Sequence, residues 1–270
     1  METRTLNLLD VVEAIFASGA YSRISSHLNS WAVQAGDFDK QLVTLYCEEM
    51  NVNNDFSAKV VIDTNWLRWV ESPARGVERK FLDRVGNEVA RASSLVRYAA
   101  KSSFAAHKHE GGEEILVLEG TFSDENGDYP AGTYLRNPPD SFHAPYSEDG
   151  CTIFVKLRQF RAGDSATIRI NTTSACWYPG LVTGLMVMPL HEFEGISTAL
   201  VRWAPNTMFR PHVHPGGEEI FVLEGVFHDE AGSYPAGTWI RSPRYSQHEP
   251  FTKTEGATIY VKTGHLDYEI

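Results

Sequence analysis

The chain has 270 residues, 42% of them hydrophobic, with 21 Gly and 13 Pro; this composition excludes a disordered, fibrous or low-complexity protein and allows one large or two modest cored domains. Asp and Glu number 35 against 24 Lys and Arg, a formal charge of −11, which argues against direct contact with a nucleic-acid phosphate backbone. The three cysteines, Cys47, Cys151 and Cys176, include no CxxC pair, so neither a disulfide framework nor a thiolate zinc site is expected and a reducing compartment fits.

From the N-terminus, Leu8 or Leu9, Val12, Ile15 and Phe16 recur at helical spacing, followed by Ile24, Leu28, Trp31 and Ala35 and then Phe38, Leu42 and Leu45. With Gly19 and Gly36 as stops, this pattern predicts a short α-helical extension over residues 1–50, packed against a β-domain or a second subunit. Asp10 and Glu13 interrupt the apolar stretch from Leu8 to Phe16, so it is neither a signal-peptide core nor a membrane span, and a cytoplasmic location is expected.

Beyond the extension the chain repeats. Leu95–His143 laid over Leu200–His248 matches at a constant offset of 105 with no gap, and 29 of the 49 pairs are identical, which identifies a duplicated domain. After one inserted residue Thr152-Ile153 and Val155-Lys156 recur as Thr258-Ile259 and Val261-Lys262, and a weaker match sets Gly76–Tyr98 on Gly184–Trp203. The units are assigned to residues 51–165 and 166–270. Inside each, short apolar runs separated by Gly and Pro (SLVRY, EEILVLEG, GTYLRN and CTIFVKL; TALVRW, EEIFVLEG, GTWIRS and ATIYVKT) predict strands of a closed antiparallel β-domain.

Each repeat carries a chemical constellation. The first contains His107-Lys108-His109 followed by Gly111-Gly112-Glu113, and the second His212-Val213-His214 followed by Gly216-Gly217-Glu218. Residues two apart on a strand share a face, so each HxH directs two imidazoles to one side, and the Gly-Gly turn can bring the glutamate round to them. His143 and His248, after a Pro-rich corner, are placed to close the sets. Three imidazoles and one carboxylate suit Zn, Fe(II), Mn, Ni or Co and are too nitrogen-rich for Mg or Ca. Glu114 and Glu219 alternate to the opposite face unless the turn is shifted by one, when either would replace its neighbour as ligand. Arg136 and Arg241, on the strand before the third His, either touch an anionic ligand or stand on an exposed face. His27, His191, His228 and His265 lack ligand-spaced partners and are expected at the surface, and the cysteines are expected to be inert. Strand alternation names Tyr98, Ile115, Val117, Phe142 and Ile153 as walls of the first pocket and Trp203, Ile220, Val222, Gln247 and Ile259 as walls of the second.

These residues resemble the cupin superfamily. Its first motif, G(x)5HxH(x)3-4E(x)6G, is met by His107, His109, Glu113 and Gly120 and by His212, His214, Glu218 and Gly225; its second, G(x)5PxG(x)2H(x)3N, by Gly132, Pro138 and His143 and by Gly237, Pro243 and His248. The sequence departs from the pattern at three positions in each copy. The leading Gly is absent, the inner Gly is Asp140 or Tyr245, and the closing Asn is Ser147 or Thr252. The longer wording from Met50 to Phe160 resembles the ChrR-type cupin family more narrowly, with the second unit a diverged copy.

The resemblance implies a mainly β fold of two tandem jelly-roll barrels behind a helical extension. It also implies a divalent transition metal in each barrel, zinc foremost with iron, manganese or nickel as alternatives, held by His107, His109, Glu113 and His143 and by His212, His214, Glu218 and His248. The best-known relatives are anti-sigma factors, which suggests a bicupin that senses a small molecule or oxidant and binds a sigma factor. However, their N-terminal HxxxCxxC zinc site is missing, since His27 has no cysteine nearby and Cys47 stands alone. The alternative is a metal-dependent dioxygenase, or a related oxidoreductase, acting on a small organic substrate, with catalytic residues left unassigned. Paired barrels within one chain supply the sheet contacts that single-unit relatives would obtain by dimerising, and a homodimer of the whole chain is left open.

Overall fold

Long apolar runs such as Ile115-Leu116-Val117-Leu118 leave no polar face, and a strand built from them needs cover on both sides. The computed structural model describes residues 50–87 and 89–266 and supplies that cover. The predicted helices of residues 1–49 lie outside the described residues. Residues 51–270 form one unit, built of antiparallel strands and one short 3-10 turn, Thr64–Trp66. No helix among the described residues is long and apolar enough to cross a membrane.

All eight strand-like runs fall in strands. The first half centres on Glu113–Asp124, flanked by Thr133–Asn137 and Cys151–Leu157, with Arg91–Tyr98 and Val77–Val85 beyond. The second half repeats this order around Glu218–Asp229, with Thr238–Ser242, Ala257–Thr263, Ile196–Trp203 and Leu185–Phe193. Each half also has a separate two-stranded ribbon, His107–His109 with Ser141–His143 and His212–His214 with Ser246–His248.

One edge strand of each large sheet comes from the other half of the sequence. Val60–Asp63 pairs with Thr238–Ser242 (Val61 opposite Ile240), and Ile168–Asn171 pairs with Thr133–Asn137 (Arg169 opposite Leu135). The halves therefore exchange edge strands, and the exchange covers two sheet edges that would otherwise be open to other chains.

Alternation on the central strands divides the apolar residues into three cores. Ile115, Val117, Ile153 and Tyr98 fill the first barrel with Phe122 and Leu135; Ile220, Val222, Ile259 and Trp203 fill the second with Phe227 and Ile240. The opposite faces, Leu116 and Phe154 from one half and Phe221 and Tyr260 from the other, make a shared core between the barrels. There the Phe154 and Phe221 rings stack with centroids 5.2 Å apart. Burying side chains of this size contributes about 1.5–3 kcal/mol each, so the shared core holds the two barrels together.

Buried charges cross this core in matched pairs. Lys262 of the second half donates to Glu114 of the first, and Lys156 of the first donates to Glu219 of the second. Tyr134 Oη donates to Glu114 at 2.7 Å, and its counterpart Trp239 donates through Nε1 to Glu219 at 2.8 Å. Lys262, Lys156 and Arg136 around them hold the Glu114 carboxyl near 2 and the Glu219 carboxyl far below the ordinary value, despite complete burial. Glu114 and Glu219 thus do face away from the HxH ribbons, where they tie the barrels together.

Arg136 and Arg241 correct the sequence expectation. Neither is exposed and neither faces a ligand pocket: they are 1% and 0% accessible. Arg136 forks onto Asp164 at 2.9 Å over the Phe160 ring, and Arg241 meets Asp83 at 3.1 Å over Phe56. His228 and His265 are buried too, not on the surface, and His265 Nε2 lies 3.1 Å from Glu219. His191 is half-buried against Asp164 at 2.9 Å. Strand periodicity separates the two faces of a strand but does not show that both are covered.

Candidate metal centres

Each HxH ribbon is an antiparallel pair. His143 sits directly opposite His107, and His212 directly opposite His248; the second His of each HxH projects from the same face one pleat along. The ligand-capable nitrogens of His107, His109 and His143 converge within 4.8 Å of one another, as do those of His212, His214 and His248. No other group of this kind is found among the described residues.

The turns that build the ribbon place non-glycine residues in the left-handed region where the cupin pattern has glycine. Lys101 and Asn206, at the leading Gly position, have φ of 61° and 57°; Asp140 and Tyr245, at the inner Gly position, have φ of 71° and 60°. All four adopt the left-handed region that glycine reaches without strain. The amides of Asp140 and Tyr245 donate to the carbonyls of His109 and His214, each at 2.8 Å, tying the third histidine to the HxH strand. Ser147 and Thr252 replace the closing Asn through their hydroxyls, donating to the carbonyls of Thr121 at 2.6 Å and Ala204 at 2.7 Å. At Gly112, φ is +74° and a Cβ would meet the Phe160 ring at 2.5 Å. This glycine is required where the chain turns from the ribbon into the strand that starts at Glu113.

Hydrogen bonds at Nδ1 set the tautomers of His107, His143 and His212. His107 Nδ1 faces the Ala105 carbonyl at 2.8 Å and His212 Nδ1 the Arg210 carbonyl at 3.0 Å. A carbonyl can only accept, so Nδ1 carries the proton and Nε2 presents a lone pair inward. His143 Nδ1 faces Asp124 Oδ2 at 3.3 Å, with the same result. His109 Nε2 and His143 Nε2 are then 2.8 Å apart, and His248 Nε2 lies 3.1 Å from both His212 Nε2 and His214 Nε2. Three imidazole nitrogens gathered this closely fit a divalent metal, which each Nε2 can ligate when its ring carries the proton on Nδ1. Burial holds the rings neutral: His109, His214 and His248 titrate near 4, and His143 is also lowered.

The glutamates reach the same points. Glu113 Oε2 lies 3.4 Å from His109 Nε2 and 3.6 Å from His143 Nε2. Glu218 lies 3.4 Å from His214 Nε2 and 3.6 Å from His248 Nε2. The structure thus brings all eight sequence-designated residues into two clusters. Their surroundings differ. Asn137 Nδ2 donates to Glu113 Oε2 at 3.0 Å, whereas Ser242 occupies the equivalent position beside Glu218, whose Oε2 is buried without a hydrogen-bond partner. Burial accordingly pushes the Glu218 carboxyl up to about 8. Burial also raises Glu113, but the nearby His143 and the Asn137 hydrogen bond oppose that rise.

Of the expected pocket walls, Tyr98, Ile115, Val117 and Ile153 line the first barrel and Trp203, Ile220, Val222 and Ile259 the second. Phe142 and Gln247 do not; both point outward, Phe142 being 60% exposed. They are the middle residues of three-residue strands, on the face opposite the histidines. Cys151 is buried beside Tyr98, which pushes its thiol up to about 11 and makes it a poor ligand or nucleophile. Sequence reasoning missed Asp124, Asn137 and Arg169. Asp124 carries a signal in the repeated Asp-Glu dipeptide, but the other two differ between the repeats and carry none.

The ChrR cupin-like domain profile matches residues 57–161 and again 165–267. No curated protein matches the chain. Among solved structures, a candidate dioxygenase from Nostoc punctiforme aligns over 79% of this chain and 85% of its own, with TM-score 0.65 and 14% identity. Protein Ylba from E. coli aligns over 84% and 99%, with TM-score 0.61 and 16% identity. The formate complex of Lactobacillus farciminis oxalate decarboxylase aligns over 78% and 87%, with TM-score 0.54 and 13% identity. At these identities the structural likeness establishes the fold alone. The two profile matches cover most of the chain, and the chain belongs to the ChrR cupin-like family, present here as a tandem pair of cupin domains each carrying a histidine triad able to hold a metal ion.

Proposed function

We propose that this protein is a metal-dependent oxidoreductase of the dioxygenase type, acting on a small oxygenated organic substrate at the first centre. The observation that carries the reading is the convergence of three imidazole nitrogens with a buried glutamate in a barrel whose core is apolar. His107, His109, His143 and Glu113 would hold the ion there, and His212, His214, His248 and Glu218 would hold a second. A bound ion would supply Lewis acidity and, if iron, a redox partner for dioxygen at positions the protein leaves open. The chain supplies the rest. Ile115, Val117 and Ile153 exclude water around the substrate. The Tyr98 phenol, held protonated by burial and by the neighbouring Glu113 charge, donates a hydrogen bond to a substrate oxygen.

The test is oxygen uptake by Fe(II)-reconstituted protein across a panel of diketones, flavonols and thiols. Uptake that disappears in His109→Ala is the expected result, and no uptake across the panel rejects the reading. A second reading, a cupin sensor that releases a sigma factor, has the helical spacing of residues 1–50 in its favour. A complex with a co-expressed sigma factor that dissociates on oxidation would select it over the enzyme.

A further inference from the structure

Arg169 lies in the sequence of the second repeat but serves the first barrel, because the exchanged strand Ile168–Asn171 closes that sheet. Its guanidinium is fixed by the carbonyls of Arg136 at 2.9 Å and Ile168 at 2.8 Å, lies 5.5 Å from the Tyr129 ring centroid, and donates to Asn137 Oδ1 at 2.6 Å. An amide oxygen that accepts from arginine leaves only the amide nitrogen to face the other way. Asn137 Nδ2 therefore points at Glu113 Oε2, the oxygen that approaches His109 and His143.

The second centre has no such relay. Val61 stands at the strand position equivalent to Arg169, opposite Ile240 where Arg169 faces Leu135, and Ser242 replaces Asn137. Its exchanged segment does bring a cation, Lys59, but Lys59 donates to Asp229 at 3.0 Å and Glu218 Oε2 has no hydrogen-bond partner.

We infer that Arg169 is a positioning residue which, through Asn137, fixes the Glu113 carboxylate and makes the first centre bind a divalent cation more tightly than the second. The inference rests on the metal-binding part of the proposed function. A fixed carboxylate need not be ordered when the ion arrives, and groups that orient a ligand in this way typically contribute about 10–100-fold in metal affinity.

The experiment is Zn2+ titration of the chelator-stripped full chain against a chromophoric competitor. Each centre is read alone in His214→Ala/His248→Ala and His107→Ala/His109→Ala backgrounds. The first centre is expected to bind at least about tenfold more tightly. Arg169→Met, an exposed substitution, is expected to lower only the first-centre affinity, and Asn137→Ser to lower it equally. The two together are expected to lower it no further, which a merely structural role would not produce. Grafting Val61→Arg with Ser242→Asn is expected to tighten the second centre, a gain that misfolding cannot mimic. Equal affinities in the parent chain, additive losses, or an ineffective graft overturn the inference while leaving metal binding intact. A chain that binds no ion at either centre overturns the proposed function and the inference together.

Discussion

The two centres have the same four ligand-capable residues in the same arrangement, and they differ in what stands behind them. In the first, Glu113 is held by Asn137 and, through it, by Arg169; in the second, Glu218 is buried with one oxygen unpartnered. Tyr98 in one barrel is Trp203 in the other, where the indole nitrogen has no partner. At the rim, the Lys108–Asp140 ion pair of the first half is replaced by Val213 and Tyr245, both exposed. Duplication has preserved the residues that converge on a single point and altered those that tune it. This is expected if one centre is specialised for chemistry and the other holds its barrel together.

The largest effect is expected where the halves are most alike, at the reciprocal ion pairs. Lys156→Met leaves Glu219 buried without its lysine and Lys262→Met does the same to Glu114; each should cost about 3–5 kcal/mol in denaturant unfolding. The paired replacement Lys156→Met with Glu219→Leu should recover only part of that loss, because Trp239 Nε1 and His265 Nε2 lose their acceptor. If the single changes cost nothing, the charges do not hold the halves together.

Metal removal comes next and separates the centres. An ion present at 100 times its dissociation constant stabilises the folded chain by about 2.7 kcal/mol, so chelation should lower the Tm. His109→Ala and His214→Ala should each remove one equivalent from the elemental count. An unequal fall in Tm between the two variants would identify the centre that matters more for stability.

The third prediction concerns pH in the metal-free chain. His109, His214 and His248 titrate near 4 when folded and near 6.5 when free, so between these values the unfolded chain binds more protons. Each histidine then adds stability as pH rises, at most about 1.4 kcal/mol per unit. Glu218, raised to about 8, acts in the opposite direction above 4.5. Burial also lowers His143, and His265 to about 3, while it raises Glu113 beside Glu218; with five histidines against two carboxyls, the stripped protein should lose stability from pH 6.5 down to 4.5. Stability that is flat or that rises as pH falls over that range would contradict the burial of neutral His109, His214 and His248.

The smallest effect is at the turns. Tyr245→Gly relieves a left-handed aromatic residue and should gain up to about 1 kcal/mol after the added entropy of the unfolded chain. Asp140→Gly should gain less, because it also removes the Lys108 partner. Equal gains would mean that the rim pair contributes nothing.

Much of the candidate site was legible in the residues. The constant offset of 105 exposed the duplication, and HxH placed two rings on one face because strand geometry has a period of two. The third histidine was marked by its recurrence after a Pro-rich corner in both repeats, and the structure sets His143 opposite His107. Arg136 and Arg241 misled because a polar residue on an alternating strand reads as exposed. Here the far face meets another sheet, and the guanidiniums are neutralised by Asp164 and Asp83, residues distant in sequence.

What the sequence alone determined is what local geometry and repetition encode: two β-barrels, four ligand-capable residues in each, and the turns between them. Only the tertiary structure decided which half serves which centre. Strand exchange is a choice between equivalent edges, made by long-range pairing and by the shared core between the barrels. The spacing of Arg169 or Val61 along the chain does not record which carboxylate each will stand behind.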